Sequence, residues 1–90
     1  MDIQQAANRH FIEDENGLVA EMEFSIAGDS GMIISSTFVN PAYRGQGLGL
    51  VLLEDVVARA RREGRKVVPL CPYAQAQMDK NPQAYADVRR

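Results

Sequence analysis

Three glycines at alternate positions follow an arginine in the stretch RGQGLG, residues 44–49, and a strongly apolar helical run begins directly behind them. The first amides of a helix have no partner within the helix, and together they carry about half a positive charge. Glycines let an anion approach such amides because no Cβ stands in the way. The loop of Arg44, Gly45, Gly47 and Gly49 therefore predicts a phosphate or pyrophosphate site.

Two familiar phosphate loops do not fit this stretch. A P-loop needs Gly-Lys-Ser/Thr at the helix start, whereas Leu50 and Val51 follow Gly49. A dinucleotide fingerprint needs G-x-G-x-x-G after the first strand of a β-α-β unit, but position 50 is leucine and the preceding strands look antiparallel. A tight, solvent-exposed turn without a ligand is the remaining alternative. Three glycines behind an arginine favour the anion site.

The single cysteine, Cys71, directly precedes Pro72, a residue suited to the first position of a helix. A thiolate at a helix N-terminus is stabilised, so Cys71 could carry an acyl group or line a polar site. A lone cysteine is also commonly a small buried apolar side chain. The residue type leaves both interpretations open.

The elements that must position these residues are indicated by periodicity. Alternation over residues 18–26 predicts a strand with one buried face, bounded by turns at 14–17 (DENG) and 27–31 (AGDSG). A weaker pattern predicts an earlier strand at 9–13. The near-continuous apolar run MIISSTFV, residues 32–39, predicts a strand buried on both faces. The chain is therefore expected to open with an antiparallel meander of about three strands.

A long amphipathic helix is expected behind the glycines, with Gly64 at its C-terminal end. Its apolar face comprises Leu48, Leu52, Leu53, Val56, Val57 and Ala60. The strand KVVPLC, residues 66–71, should lie parallel to the strand before the helix. Short helices are expected from Pro72 and from Pro82, the latter with Asn81 as N-cap. The predicted fold class is α/β (α+β): a mixed sheet of about four strands, an antiparallel meander and then a parallel strand, with one main helix and short C-terminal helices.

Composition is that of an ordinary globular chain, with 46% hydrophobic and 24% charged residues. The length predicts one domain, residues 1–90, with residues 1–8 flexible. With a net charge of −2, the chain lacks the positive electrostatic field that nucleic-acid binding needs. No apolar run reaches the roughly 20 residues of a membrane span. One cysteine and no apolar leader make the cytoplasm the expected location. We expect no metal, no nucleic-acid partner and no membrane partner.

The motif RGQGLG fits the Arg/Gln-x-x-Gly-x-Gly/Ala signature of the GNAT superfamily of N-acetyltransferases. From about residue 9 the chain resembles a minimal branch of that superfamily, through STFVNPAYRGQGLG and a Pro-x-Cys-Pro-aromatic motif at residues 69–73. The resemblance implies a GNAT-like domain that holds acetyl-CoA in a cleft where parallel strands splay, with loop amides on the pyrophosphate. The implied cofactor-binding residues are Phe38, Val39, Arg44, Gly45, Gln46, Gly47, Leu48, Gly49 and Tyr73.

Pro69 gives this cleft a physical cause. It has no N–H and cannot donate to a neighbouring strand, so pairing should fail near it. The backbone groups of residues 37–39 would then be free for the amides of the pantetheine arm. An edge strand, in which proline is tolerated, is an equally open alternative.

Cys71 and Ser36 are the candidate catalytic residues. Relatives of the branch carry a histidine where Ser36 stands, facing the cysteine. A serine without a base cannot take a proton near neutral pH, which weakens the case for an acyl-cysteine. Glu21 and Glu23 are either a solvated face or a water-mediated general base. His10, the only histidine, is expected to be a surface or strand residue rather than a catalyst.

Two functions from different classes follow from the resemblance. The first is an acyl-CoA-dependent N-acetyltransferase, in which an amine attacks the thioester and backbone N–H groups near Val39 stabilise the oxyanion. Tyr73 and Tyr85 would stack on the cofactor, protonate the leaving thiolate or simply pack. The second is a non-catalytic CoA-binding module. The amine acceptor is unidentified, and a monomer or weak dimer is expected.

Overall fold

A computed structural model describes residues 1–90 and contains one five-stranded sheet with two helices. Its elements, in chain order, are β1 (Gln4–Gln5), β2 (Arg9–Asp14), β3 (Gly17–Ala27), β4 (Gly31–Val39), a 3-10 turn (Pro41–Tyr43), α1 (Leu48–Glu63), β5 (Lys66–Pro69) and α2 (Pro72–Lys80). The strands lie in chain order across the sheet. The first four are antiparallel, and β5 is parallel to β4. The predicted fold class is confirmed, with one more strand than expected.

The β2–β3 hairpin forms where the DENG turn was predicted. Its two loop residues are Glu15 and Asn16, and the amide of Asn16 donates to Asp14 Oδ1 at 2.8 Å. Gly17 closes the turn at a φ of 118°, where a side chain would be strained. The alternation along β3 is confirmed from Ala20 to Phe24. Val19 is buried as well, because it lies at an irregularity in the pairing with β2, and Ile26 is exposed because it lies next to the β3–β4 turn.

The prediction that β4 is buried on both faces is wrong. Met32 and Ile34 are buried, whereas Ser36 and Phe38 are exposed. Both helices contribute to a single core, and neither covers the other face of β4. A bulge at Ser35 separates the two halves of the strand, because the pairing register shifts there.

The amphipathic helix predicted behind the glycines is confirmed as α1. Its inner face is fully buried against the sheet through Leu52, Leu53, Val56, Val57 and Ala60. Gly64 ends the helix at a φ of 68° and donates its amide to Ala60 and Arg61 carbonyls, as a C-terminal glycine cap does. Arg61 and Arg62 lie in the last turn, where the helix dipole favours cations.

The pairing of β4 with β5 stops at Pro69, as its missing N–H predicts. The last paired residues are Ile34 and Pro69. Beyond them, the amides of Leu70 and Cys71 both donate to the Ile34 carbonyl at 3.0 Å, and the chain turns into α2. Because β5 is also the last strand of the sheet, Pro69 sits in an edge strand and ends its pairing at once.

Two terminal segments differ from expectation. Asn81 ends α2, and residues 82–88 form successive turns instead of a second short helix. Buried Tyr85 and Val88 fix these turns to the core, so packing rather than helix hydrogen bonding sets their path. At the other end, Gln4 and Gln5 pair with β2 as an additional strand. The flexibility of residues 1–8 stays a prediction.

Candidate functional site

A cleft of about 340 Å³ opens at the N-terminal end of α1. It is lined by Thr37, Val39, Tyr43, Arg44, Gly45, Gly47, Leu48, Gly49 and Tyr73. Seven of the nine residues that the resemblance implied for the cofactor are therefore in this lining. Of the remaining two, Gln46 is an exposed loop residue, and the Phe38 side chain is 43% exposed.

Hydrogen bonds to the sheet hold the glycine loop in place. The Asn40 side chain accepts from the amide of Ala42 at 3.0 Å and donates to the Leu18 carbonyl at 3.2 Å. The Tyr43 hydroxyl donates to Asp14 in the β2–β3 hairpin. This bond lowers the pKa of Asp14 and raises the pKa of Tyr43. Sequence reasoning missed these supports, although Asn-Pro is a recognisable turn signal.

Gly45 and Gly47 have the conformation and the open space that a bound anion requires. Their φ angles are 87° and 74°, in the left-handed region that favours glycine. A Cβ at either position would meet no atom within 4 Å, so the space above the loop is empty. Gly47 caps α1 without a side chain, and the first helical bond runs from Val51 N to Gly47 O at 3.1 Å. The preceding amides are thus available to a phosphate.

Gly49 is glycine for a different reason. A Cβ at this position would lie 2.8 Å from Cζ of Tyr73, so the tyrosine ring occupies the space that a side chain would need. The ring forms one wall of the cleft. Burial, followed by the nearby Cys71 thiol, raises the pKa of Tyr73 above its usual range, so the phenol is protonated at neutral pH.

Arg44 is the one basic residue of the cleft lining. Its Nε donates to the Val39 carbonyl at 3.3 Å, and the side chain is otherwise exposed. This contact places a guanidinium at the mouth of the cleft, where it adds a positive charge to the helix amides.

The two candidate catalytic residues are not brought together. Cys71 is 4% exposed, and its Sγ lies 3.3 Å from Oγ1 of Thr37 on the cleft side of β4. Ser36 is on the other side, since successive strand residues alternate between faces. Its hydroxyl donates to Glu23 Oε1 at 2.9 Å. Thus Thr37, not Ser36, is the strand residue that contacts the cysteine.

The remaining candidate residues lie away from the cleft lining. The Tyr85 hydroxyl donates to Glu54 Oε1 at 2.9 Å, and burial, then this bond, raises the pKa of Tyr85 to about 12. Glu21 forms an ion pair with Arg9. His10 is a strand residue, as expected, and it is completely buried in contact with α1.

No group of three or more His, Cys, Asp or Glu side chains is arranged to hold a metal ion. No helix is long and apolar enough to cross a membrane.

The sequence model of the GCN5-related N-acetyl-transferase family matches residues 9–88. The chain belongs to this family. No curated protein sequence is similar enough to count as a relative. Among solved structures, a GCN5-like candidate N-acetyltransferase from Staphylococcus aureus is 32% identical with a TM-score of 0.81, over 99% of this chain and 87% of that one. Family membership and this similarity support acyl transfer as the general chemistry.

More distant members of the fold are longer proteins. N-acetylglutamate synthase from Neisseria gonorrhoeae, solved with coenzyme A and N-acetyl-glutamate, is 18% identical with a TM-score of 0.66, over 82% of this chain and 18% of that one. The ribosomal-protein-S18-alanine N-acetyltransferase of Escherichia coli is 19% identical with a TM-score of 0.65, over 88% of this chain and 54% of that one. At these identities the similarity is one of fold.

Proposed function

We propose that the chain is an acyl-CoA-dependent N-acetyltransferase that moves the acetyl group of acetyl-CoA to an amine. The observation that carries this proposal is the cleft at the start of α1. There, Gly45 and Gly47 leave empty space in front of helix amides that no side chain caps. That arrangement fits the pyrophosphate of coenzyme A, and the family's chemistry supplies the reaction.

In the proposed complex the pantetheine arm follows β4 beyond Pro69, where β5 no longer pairs with it. The amide and carbonyl groups near Val39 would hydrogen-bond the arm, and the Arg44 guanidinium would leave the Val39 carbonyl for a phosphate. An incoming amine attacks the thioester carbonyl, and backbone amides near Val39 stabilise the oxyanion. The protonated phenol of Tyr73 then donates its proton to the departing CoA thiolate.

A non-catalytic CoA-binding module is the second candidate. It is favoured by the separation of Ser36 from Cys71, because no side chain that could act as a base contacts the thiol. Release of thiol from acetyl-CoA in the presence of an amine panel separates the two functions. Membership of the minimal Pro-x-Cys-Pro-aromatic branch, a single domain, a cytoplasmic location and a monomer or weak dimer stay predictions from the sequence.

Thermal unfolding with and without coenzyme A tests the cofactor assignment. At 100 times its Kd a ligand adds about 2.7 kcal/mol to the free energy of unfolding. In a chain this short, that amount raises Tm by roughly 10–20 °C. Gly47→Ala should remove most of this rise, because its Cβ enters the space proposed for the phosphate.

The matched control is Gly64→Ala at the other end of the same helix. Gly64 has a φ of 68° and equally open surroundings, so alanine should cost a similar amount, about 1–2 kcal/mol, in the absence of ligand. Unlike Gly47→Ala, this variant should keep the full CoA-induced rise in Tm. An equal loss of the rise in both variants, or no rise in the native chain, would contradict the assignment.

A further inference from the structure

Charge is segregated along this chain. Residues 1–30 contain seven acidic residues and one basic residue, whereas residues 59–90 contain eight basic residues and three acidic ones. The acidic β2–β3 hairpin lies beside the cleft, where Asp14 contacts Tyr43. Most of the basic residues lie instead around the other end of α1 and the start of β5. This second region is the basic end of the molecule.

A cavity of about 230 Å³ opens at the basic end. Its lining comprises Arg61, Gly64, Arg65, Lys66, Asp87 and Val88, and we call it the basic pocket. A Cβ on Gly64 would meet no atom within 4 Å, so the space beside the end of the helix is open. Half of the lining residues are cations, which makes the pocket a candidate site for an anionic group.

Each of the three cations is held in place and still has an unused donor. Arg61 donates through Nε and Nη2 to Asp87 and to a backbone carbonyl, which leaves Nη1 without a partner. Arg65 donates through Nε to Glu63 and through Nη1 to two carbonyls of the β3–β4 turn, which leaves Nη2 without a partner. The Lys66 ammonium group donates only to the Asp87 carbonyl, so it also has protons to spare. An anion can therefore use donors that are already ordered, which lowers the entropic cost of binding.

The positive charge continues outside the basic pocket. Arg62 and Arg90 are exposed, and neither has a carboxylate within ion-pair distance. Arg90 is held near Lys66 through Ser30: the Arg90 guanidinium donates to the Ser30 hydroxyl at 3.3 Å, and the Lys66 amide donates to the Ser30 carbonyl at 2.6 Å. A ligand that reaches the pocket and Arg90 together must be extended and must carry more than one negative charge.

Carboxylates among these cations select the kind of ligand. Asp87 and Glu63 pair with the two arginines of the pocket, and Asp29 lies in the same turn as Ser30. A nucleic acid carries a charge at every nucleotide, so it would bring phosphates against these carboxylates. A polypeptide can place acidic side chains opposite the cations and uncharged side chains opposite the carboxylates. The arginine fork also matches the geometry of a carboxylate.

A second copy of the chain complements the basic end less well. Its acidic hairpin presents two exposed carboxylates, Glu13 and Glu15, because Asp14 is bonded to Tyr43. A contact between the hairpin of one copy and the basic end of the next would also be head-to-tail, and such contacts produce rings or open filaments.

We propose that the basic pocket and Arg90 form a docking site for an acidic segment of another protein, with a glutamate or aspartate side chain in the pocket. The site lies at the end of α1 away from the cleft, and α1 has 16 residues and is about 24 Å long. Docking therefore leaves the cleft open. The inference stands whether or not the proposed transferase function is correct.

The test uses a short labelled glutamate-rich peptide, the matching glutamine peptide and fluorescence anisotropy at low salt. The native chain should bind the glutamate peptide and not the glutamine peptide, and CoA should not change the affinity. Lys66→Glu should weaken binding about tenfold or more, since it places like charges together. Arg90→Glu changes an exposed residue and should weaken binding several-fold, which keeps the test decisive if Lys66→Glu does not fold.

Arg44→Glu is the matched control. It makes the same change in net charge at the cleft end of the molecule, where Arg44 is exposed and has no carboxylate within ion-pair distance. This variant should bind the glutamate peptide as the native chain does. Thermal unfolding without ligand checks that each variant is folded.

Four outcomes would overturn the inference. Equal weakening by Lys66→Glu and Arg44→Glu would show that binding follows total charge, and competition between the peptide and CoA would place the peptide in the cleft. A single-stranded oligonucleotide that binds more tightly than a peptide of equal charge would overturn the partner class. So would self-association of the native chain, measured by sedimentation, that Lys66→Glu abolishes, because the occupant would then be a second copy.

Discussion

At the scale of single residues, the three glycines of the loop have two different structural roles. Gly45 and Gly47 adopt left-handed backbone conformations and face empty space. Gly49 has no such conformation and is in contact with the Tyr73 ring. Only the first pair therefore has a direct reason to be associated with an anion. The spacing of the glycines in the sequence does not distinguish these two roles, because a contact with a residue on another helix produces no pattern in the neighbouring residues.

Gly49→Ala should show this contact as a non-additive effect on stability. Alanine inside a helix is ordinarily about 0.5–1 kcal/mol better than glycine. In the native chain this gain should be absent, because the Tyr73 ring must move away from the new Cβ. In a Tyr73→Ala background the space is free, and the full gain should appear. Urea unfolding of the native chain, the two single variants and the double variant gives the coupling free energy; the same gain in both backgrounds would refute the contact.

At the scale of elements, His10 connects β2 to α1 and to the segment before β2. Its Nδ1 lies 2.8 Å from Asp55 Oδ2, although the ring N–H is not directed well enough to form a hydrogen bond with this carboxylate. Its Nε2 lies 3.3 Å from Nη1 of Arg59, which also donates to the Ala6 carbonyl at 2.7 Å. A neutral ring with its proton on Nδ1 suits both neighbours, since Nε2 then accepts from the guanidinium.

Acidification should therefore destabilise the chain through His10. Burial lowers the pKa of His10 below its ordinary 6.5, Asp55 opposes the shift, and Arg59 and Arg62 add to it. The unfolded chain thus binds this proton more readily, and the free energy of unfolding should fall as the pH drops below about 6.5. The slope for one proton is at most about 1.4 kcal/mol per pH unit.

Urea unfolding of the native chain and of His10→Gln between about pH 7.5 and 5.5 measures this slope. The free energy of unfolding of the glutamine variant should depend less on pH over that range. The pKa values of Asp14, Glu63 and Asp87 are also lowered, by their hydrogen-bond partners, but these carboxylates lose their contribution only at more acidic pH. A slope that is identical in the two chains would show that His10 does not cause it.

Local patterns predicted most of the elements, and long-range packing explains the rest. The hairpin turn at DENG, α1 with its Gly64 cap and the end of pairing at Pro69 each depend on a few neighbouring residues. Gln4–Gln5 shows no alternation of apolar and polar residues that would predict a strand. These two residues form a strand because they pair with β2. The open side of β4 was mispredicted because apolar residues do not reveal whether another element will cover them. In the site, the loop was predictable, but the Asp14 and Thr37 contacts join distant segments.

At the scale of the whole molecule, positive charge is concentrated away from the cleft. Six basic residues lie around the C-terminal end of α1, the start of β5 and the chain end: Arg61, Arg62, Arg65, Lys66, Arg89 and Arg90. Arg44 is the one basic residue lining the cleft, and the net charge of the chain is −2. The field of the whole molecule therefore does not attract an anionic ligand to the cleft, and attraction must come from the loop itself.

The salt dependence of CoA binding should consequently depend on Arg44 alone among the cations. α1 has 16 residues and is about 24 Å long, so its C-terminal end is well beyond the Debye length of about 8 Å at physiological salt. Arg44→Ala should weaken CoA binding about two- to fivefold at low salt and flatten its salt dependence, whereas the helix amides retain the remaining affinity. Arg62→Ala removes an equal charge from an exposed arginine without an ion-pair partner and should change neither quantity. Calorimetric titration with CoA between about 0.05 M and 0.5 M salt distinguishes the two variants. If both lose affinity equally, the attraction arises from total charge, and the local role of Arg44 in the cleft is wrong.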